Sequence, residues 1–219
     1  MHAYQREFID FMVEADVLTF GDFVTKSGRR TPYFVNTGRY RTGRHLNRLA
    51  AYYAAAIQVR LPGGYDVLFG PAYKGIPLVV ATAMCLARDH GVDVAYCFDR
   101  KEAKDHGEGG ALVGHRPRAG ERVLLVEDVT TAGTSVRETV PKLRAAAEVS
   151  LAGLVVSVDR MERGQGERGA LAELAEEYGM PTFAIVTLDE IVAHLAGRLE
   201  PALLERLAAY RAQYGARSG

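Results

Sequence analysis

Apolar and polar positions follow one another along the chain in two distinct periods. Five short runs of strand length are almost continuously apolar: YDVLFG (65–70), VDVAYCF (92–98), RVLLVED (122–128), LAGLVVSVD (151–159) and PTFAIVTL (181–188). Between them, positions 75–90, 133–147 and 167–179 carry helical patterns. Val, Leu and Ile runs separated by helices are what a parallel sheet needs when helices cover both of its faces. The pattern therefore predicts an α/β fold with five parallel strands. At the N-terminus, Tyr4, Phe8, Phe11, Met12 and Ala15 fall on one helical face, which predicts an amphipathic helix docked on the core. Segment 18–40 breaks the rhythm, with aromatic and β-branched residues around Gly, Ser and Arg turns. It predicts a hairpin outside the main sheet, from which a helix over 43–60 leads into the sheet. No internal repeat or low-complexity linker divides the chain, so one domain spanning 1–219 is expected.

Composition narrows the classes of function. At 219 residues and 48% hydrophobic content the chain can bury a substantial core. Lys plus Arg and Asp plus Glu both number 27, so the electrostatic footprint of a nucleic-acid binder is missing and any cationic site must be local. The longest apolar run, 77–87, is well short of the roughly 18 residues that suggest a membrane span. The acidic N-terminal helix does not resemble a signal peptide, so a soluble, cytoplasmic protein is expected. Cys85 and Cys97 lie in apolar stretches and form no CxxC pair, which fits buried thiols in a reducing compartment.

The chemistry concentrates in RVLLVEDVTTAGTSVRETV, residues 122–140. A strand ends on two adjacent acids, Glu127 and Asp128, at the C-terminal edge where open α/β sheets bind ligands. The chain must then turn sharply into a helix, and Gly133 permits close approach of a ligand to the backbone. The N–H groups of 130–135 would converge at the helix N-terminus, a ready phosphate site, with Thr130, Thr131, Thr134 and Ser135 adding hydroxyl donors. Two carboxylates repel a phosphate but suit sugar hydroxyls. A phosphorylated sugar satisfies both halves, whereas simple helix capping needs one Asp and not this whole run.

Three further segments have readings of their own. GPAYKG ends the strand at 65–70 in a sharp turn and presents Tyr73 and Lys74, but Ile76 and Pro77 follow Gly75, so it is no P-loop. The stretch 99–110 lacks any large apolar residue and carries Arg100, Lys101, Lys104 and His106 within seven positions. Either it is a solvated loop or it is a lid over an anion. SVDR ends the next strand with Arg160, a guanidinium suited to a carboxylate. GQGERG (164–169) matches GxGxxG with Asp189 downstream, yet DRMER separates it from the strand, so a dinucleotide site is not expected.

Two acids followed by VTTAGTS after an apolar strand resemble the phosphoribosyl pyrophosphate (PRPP) motif of type I phosphoribosyltransferases. The order and content of KSGRRTPYFVNTG (26–38), GPAYKGIPL (70–78) and DRKEAKDHGEGG (99–110) resemble orotate phosphoribosyltransferases over nearly the whole chain. The resemblance implies the type I phosphoribosyltransferase fold: a five-stranded parallel sheet flanked by helices, with a small N-terminal hood contributed mainly by 18–40. It implies transfer of the 5-phosphoribosyl group from PRPP to orotate, giving orotidine 5′-monophosphate and pyrophosphate in pyrimidine (UMP) biosynthesis. Mg²⁺ is then held mainly by PRPP, with no direct protein ligand. PRPP contacts fall to Glu127, Asp128, Val129, Thr130, Thr131, Ala132, Gly133, Thr134 and Ser135, and to Lys26, Tyr73 and Lys74. Arg100, Lys101, Lys104 and His106 join them from the mobile loop 99–110. Orotate contacts fall to Phe34, Val35, Thr131 and Arg160, with Val35 standing where many relatives have a second aromatic. Catalytic roles are implied for Lys26, Lys101, Lys104, His106 and Asp128. A homodimer with active sites shared across its interface is also implied. A purine or uracil phosphoribosyltransferase would keep 127–135 without needing Arg160 in this form. A PRPP-sensing regulator would add a nucleic-acid-binding element, which is not apparent.

Overall fold

The computed structural model describes residues 1–25, 28–104, 110–130, 132–164 and 166–216, with 102–104 and 110 described as backbone. Helix α1 (Ala3–Glu14) opens on a reciprocal cap, in which the His2 N–H donates to the Gln5 side chain at 2.8 Å. Its buried face is Gln5, Phe8, Ile9, Phe11 and Met12, and Gln5 Nε2 donates to the Ile185 carbonyl at 2.9 Å. Strands β1 (Leu18–Val24) and β2 (Arg30–Val35) pair antiparallel as a separate two-stranded sheet, the hairpin expected of segment 18–40. A short turn at Thr37–Arg39 leads to α2 (Gly43–Arg60), whose N-cap Thr42 accepts from the His45 N–H.

The main sheet contains β3 (Val67–Gly70), β4 (Ala95–Lys104), β5 (Gly110–Gly114), β6 (Arg122–Val126), β7 (Ser150–Asp159) and β8 (Thr182–Thr187). Their order is β5-β4-β3-β6-β7-β8. The five expected strands are all present and parallel. A sixth, β5, is added at one edge, antiparallel to β4, with Phe98 opposite Val113 and Lys104 opposite Gly110. The charged segment read as a loop is thus partly a hairpin that runs beyond the core. Its pairing runs through the backbone ladder, so the hydrophobic pattern stops before the strand does.

Alternation along the strands divides the core. Leu68, Leu124, Val126 and Val155 join one cluster with Phe8, Tyr53, Ile57 and Leu86, beneath α1, α2 and α3 (Gly75–His90). Val67, Phe69, Leu125, Leu154 and Val156 join the other, with Val136, Val140 and Leu143 of α4 (Thr134–Ala146) and Leu171 and Leu174 of α5 (Ala170–Tyr178). Burial of each such side chain contributes about 1.5–3 kcal/mol, which fixes the strand ends to within the reach of hydrogen bonds.

After β8 the chain forms α6 (Leu188–Leu195), opened by a Thr187–Glu190 capping box, and α7 (Pro201–Tyr214), opened by Pro201. Helix α7 buries only Leu207 and Tyr210, and it packs on β2 of the hairpin. GQGERG precedes α5 as a closed turn in which the Gly164 N–H donates to the Arg168 carbonyl at 2.7 Å. Its Gln165 lies outside the described residues. Among the described residues no helix is long and apolar enough to cross a membrane.

Candidate active site

The backbone that leaves β6 is held from below. The Tyr53 hydroxyl, fully buried on α2, donates to the Glu127 carbonyl at 2.7 Å, and the Ser157 hydroxyl on β7 donates to the Asp128 carbonyl at 2.6 Å. With their carbonyls pinned, the two acids diverge. Glu127 turns inward to 6% exposure and accepts from the Ser135 hydroxyl and from the Asp128 N–H at 3.1 Å. Burial pushes its carboxyl up to about 7, more than the Ser135 bond lowers it. Asp128 turns to the mouth, where Thr37 Oγ1 donates to its Oδ2 at 2.6 Å and Lys74 Nζ does so at 2.9 Å. Burial works to raise this carboxyl too, but donation from Thr37 and Lys74 overrides it and holds Asp128 below the usual carboxylate range. Adjacent in sequence, the pair is split into one acid biased toward the proton and one held ionised.

The following loop is shaped by backbone. Thr130 Oγ1 accepts from the Gly133 N–H at 3.0 Å, and Gly133 sits at φ 71°, where a Cβ would also meet Leu174 Cδ2 at 2.9 Å. Glycine is therefore favoured there by the backbone conformation, and a Cβ would also press on the end of Leu174. Gly133 occupies the N-cap position of α4 and supplies no side-chain cap, so Thr134, Ser135 and Val136 start the helix with amide groups open to an anion. Val129 packs on the core, Arg137 donates to the Ala132 carbonyl, and Thr131 lies outside the described residues.

Across the mouth, the turn 71–74 is closed tightly enough that a Cβ on Gly70 would stand 2.2 Å from the Gly75 carbonyl oxygen. The Ala72 N–H donates to Asp99 Oδ1 at 2.7 Å, and Lys142 of α4 pairs with the other oxygen of this buried carboxylate. Asp99 thereby ties the turn that carries Tyr73 and Lys74 to β4 and to α4. A cavity of about 440 Å³ opens here, bordered by Tyr73, Phe98, Arg100 and Lys101. Lys101 lies 3.5 Å from Glu138 on α4 of its own chain. The backbone of Lys104 belongs to β4, while its side chain, His106 and Lys26 lie outside what is described.

At the far end of the crevice stands Arg160, just past β7. A slot with room for about one water, 10 Å³, is bordered by Thr130, Arg160 and Glu162 and so joins the phosphate-type loop to the guanidinium. Phe34 is 42% exposed on the hairpin with its ring 5.7 Å from that of Phe23, and Val35 is partly buried against the core.

A model of the phosphoribosyl transferase domain matches residues 39–185. The chain is 53% identical to the orotate phosphoribosyltransferase of Clostridium acetobutylicum, covering 98% of this chain and 99% of that protein. It is 54% identical to that of Clostridium beijerinckii, covering 99% and 100%. The chain belongs to the orotate phosphoribosyltransferase family. Among solved structures, that of the orotate phosphoribosyltransferase of Francisella tularensis superposes with a TM-score of 0.86 at 38% identity, over 95% of this chain and 99% of that one.

Of the expected residues, Lys74 meets Asp128, Ser135 meets Glu127, Gly133 turns back on Thr130, and Thr130 borders the same slot as Arg160. The sequence reading missed their supports. Thr37, Tyr53, Asp99, Ser157 and Glu162 each hold a site residue or its backbone, and nothing local marks them. The one available signal was a Glu two positions after Arg160.

Proposed function

We propose that the chain transfers the 5-phosphoribosyl group from PRPP to orotate, releasing pyrophosphate and forming orotidine 5′-monophosphate in pyrimidine biosynthesis. The observation that carries this reading is the slot that Thr130 and Arg160 border together, which puts the guanidinium beside the loop that follows β6. Residues 127–135 offer acids for ribose hydroxyls and open helix amides for the 5′-phosphate, and the guanidinium is suited to orotate's carboxylate.

The reaction is a displacement at the anomeric carbon with inversion. Positive charge grows on the ribose and negative charge on the departing pyrophosphate, so the protein needs anions at the first and cations at the second. Asp128, held ionised, supplies the first, and ribose hydroxyls would take over the contacts that Thr37 and Lys74 now make. Lys74 is then released to the pyrophosphate beside Tyr73, joined by Lys26, Arg100, Lys101, Lys104 and His106. Phe34 and Val35 flank the planar base, with Thr131 at its edge. Mg²⁺ would neutralise phosphate charge when bound. Asp128 and Glu127 suit an ion chelated by PRPP, because their oxygens are already engaged by Thr37, Lys74 and Ser135 and offer charge more than open coordination positions.

The chain works as one phosphoribosyltransferase domain in a cytoplasmic homodimer, in which Lys101, Lys104 and His106 complete the partner's site. Two buried free thiols, Cys85 and Cys97, fit that reducing compartment. The test is a base panel of orotate, uracil, hypoxanthine and adenine, each with PRPP and Mg²⁺, following pyrophosphate release. Release with orotate alone is expected, and release with another base but not orotate overturns the assignment.

A further inference from the structure

We propose that Glu162 is a positioning residue that aims Arg160 at the nucleobase and links its aim to the hood and to α7. This deepens the function proposed above and rests on it. The Glu162 side chain is 8% exposed and five donor contacts converge on its carboxylate. Oε1 accepts from the Tyr33 hydroxyl at 2.7 Å, from Arg160 Nη2 at 2.8 Å and Nε at 3.1 Å, and from the Tyr210 hydroxyl at 2.9 Å. Oε2 accepts from Arg29 Nη1 at 3.1 Å. Arg160 Nε also reaches the Tyr33 hydroxyl at 3.3 Å, so guanidinium, phenol and carboxylate close a triangle.

A guanidinium is planar and rigid, with its donors on fixed edges. Holding the Nε and Nη2 edge against Glu162 sets the plane of the group and turns the Nη1 edge away from that carboxylate. An arginine side chain free to rotate would lose several rotatable bonds on binding a ligand, whereas one already braced presents a bidentate edge at little further cost. Charge supports the same role. Two guanidiniums, Arg29 and Arg160, meet the one carboxylate of Glu162, which leaves positive charge in excess within this cluster, and Arg160 keeps 24% of its side chain exposed. An incoming carboxylate would balance it; an uncharged pyrimidine would not.

The partners come from separate parts of the chain: Arg29 and Tyr33 from the hairpin, and Tyr210 from α7. All three lie outside residues 39–185, the span matched by the general phosphoribosyl transferase domain, whereas Arg160 and Glu162 lie inside it. The brace therefore joins the span matched by the general domain to the hairpin and the last helix, which lie outside it.

The experiment is a double-mutant cycle of Glu162→Gln and Arg160→Ala, with KM measured separately for orotate and PRPP, plus thermal melting of each variant. Glu162→Gln should raise KM for orotate roughly tenfold while KM for PRPP moves less than about twofold, and it should have no further effect in the Arg160→Ala background. Tyr210→Phe, which removes one donor and keeps the ring, should shift the orotate KM in the same direction by a smaller factor. If Glu162 were only a counter-charge, its neutralisation would strengthen attraction for the substrate's carboxylate and KM for orotate would fall, overturning the proposal. Equal loss of both substrates, or an undiminished effect without Arg160, would show a role in folding alone and also overturn it. Wild-type protein that does not turn over orotate in the same assay defeats the proposed function instead, so the two failures are told apart.

Discussion

The two ends of the crevice are built in opposite ways. At the phosphate end, the groups that would meet substrate are nearly consecutive, from Glu127 to Ser135, and their arrangement follows from one strand ending and one helix starting. At the base end, Arg160 stands alone in its segment. Its orientation depends on Tyr33, 127 positions away, and on Glu162, which is itself held by Arg29 and Tyr210, 133 and 48 positions from it. Under the proposed function, recognition of the phosphoribosyl group would thus be written locally, and recognition of the base would be assembled from distant parts of the chain. The difference teaches that the first can be carried intact into related folds, while the second can change whenever the hood or the last helix changes.

Four expected outcomes would break or sharpen this contrast. The largest is at Asp128. Asp128→Asn removes the negative charge facing the ribose, so kcat/KM for PRPP should fall on the order of 10²- to 10³-fold with the melting temperature nearly unchanged. A folded variant with wild-type kinetics would remove Asp128 from the site.

Glu127 comes next, through stability. Its folded-state pKa is raised from 4.5 to about 7, so between these values the folded protein binds more protons than the unfolded chain, and stability falls as pH rises through that window. Asp128 is shifted the opposite way and acts below its ordinary value, outside the window. Replacing Glu127 by Gln should flatten the pH dependence between about 4.5 and 7 and remove a penalty on the order of 3 kcal/mol above it. Chemical denaturation at pH 5 and pH 8 checks this; parallel pH profiles for the two proteins would mean that Glu127 titrates normally.

Arg160→Ala addresses the base end. Loss of a charge-assisted bond to the substrate should raise KM for orotate roughly thirtyfold and leave KM for PRPP near its starting value. If both rise together, Arg160 supports the fold and the two ends are not separable.

The last outcome, read by site counting against a wild-type ceiling, concerns assembly. Inactive Asp128→Ala and Lys104→Ala proteins, mixed under conditions that exchange subunits, should recover activity up to about half of the wild-type value per heterodimer if sites are shared. With exchange verified and activity still at the mutant level, Lys104 acts within its own chain.

Much of this molecule was legible in the residues. The five parallel strands were found because their runs are largely apolar, most fully in the central β3, β6 and β7, whose middles are buried on both faces. Residues 122–140 announced a strand, a glycine turn and a helix whose first turn has no side-chain cap. Strand β5 was missed because it is short, Gly110–Gly114, bounded by glycines and preceded by a charged run, so its three apolar residues set no period. Helix α7 was missed because only two of its side chains are buried. Asp99 and Glu162 read as ordinary acids, since what they do depends on which donors arrive from elsewhere.

What the sequence determined by itself was the chemistry of short range: apolar periods that demand a covered sheet, a glycine where φ must be positive, and adjacent acids and hydroxyls fixed by the chain's own connectivity. Only the tertiary structure decided which of two neighbouring acids is pushed up and which is held down, because that depends on burial around Glu127 and on Thr37 and Lys74 reaching Asp128 from elsewhere in the chain. It also decided the direction in which Arg160 points. Burial and long-range hydrogen bonds set both, and neither is a property of any stretch of sequence shorter than the fold.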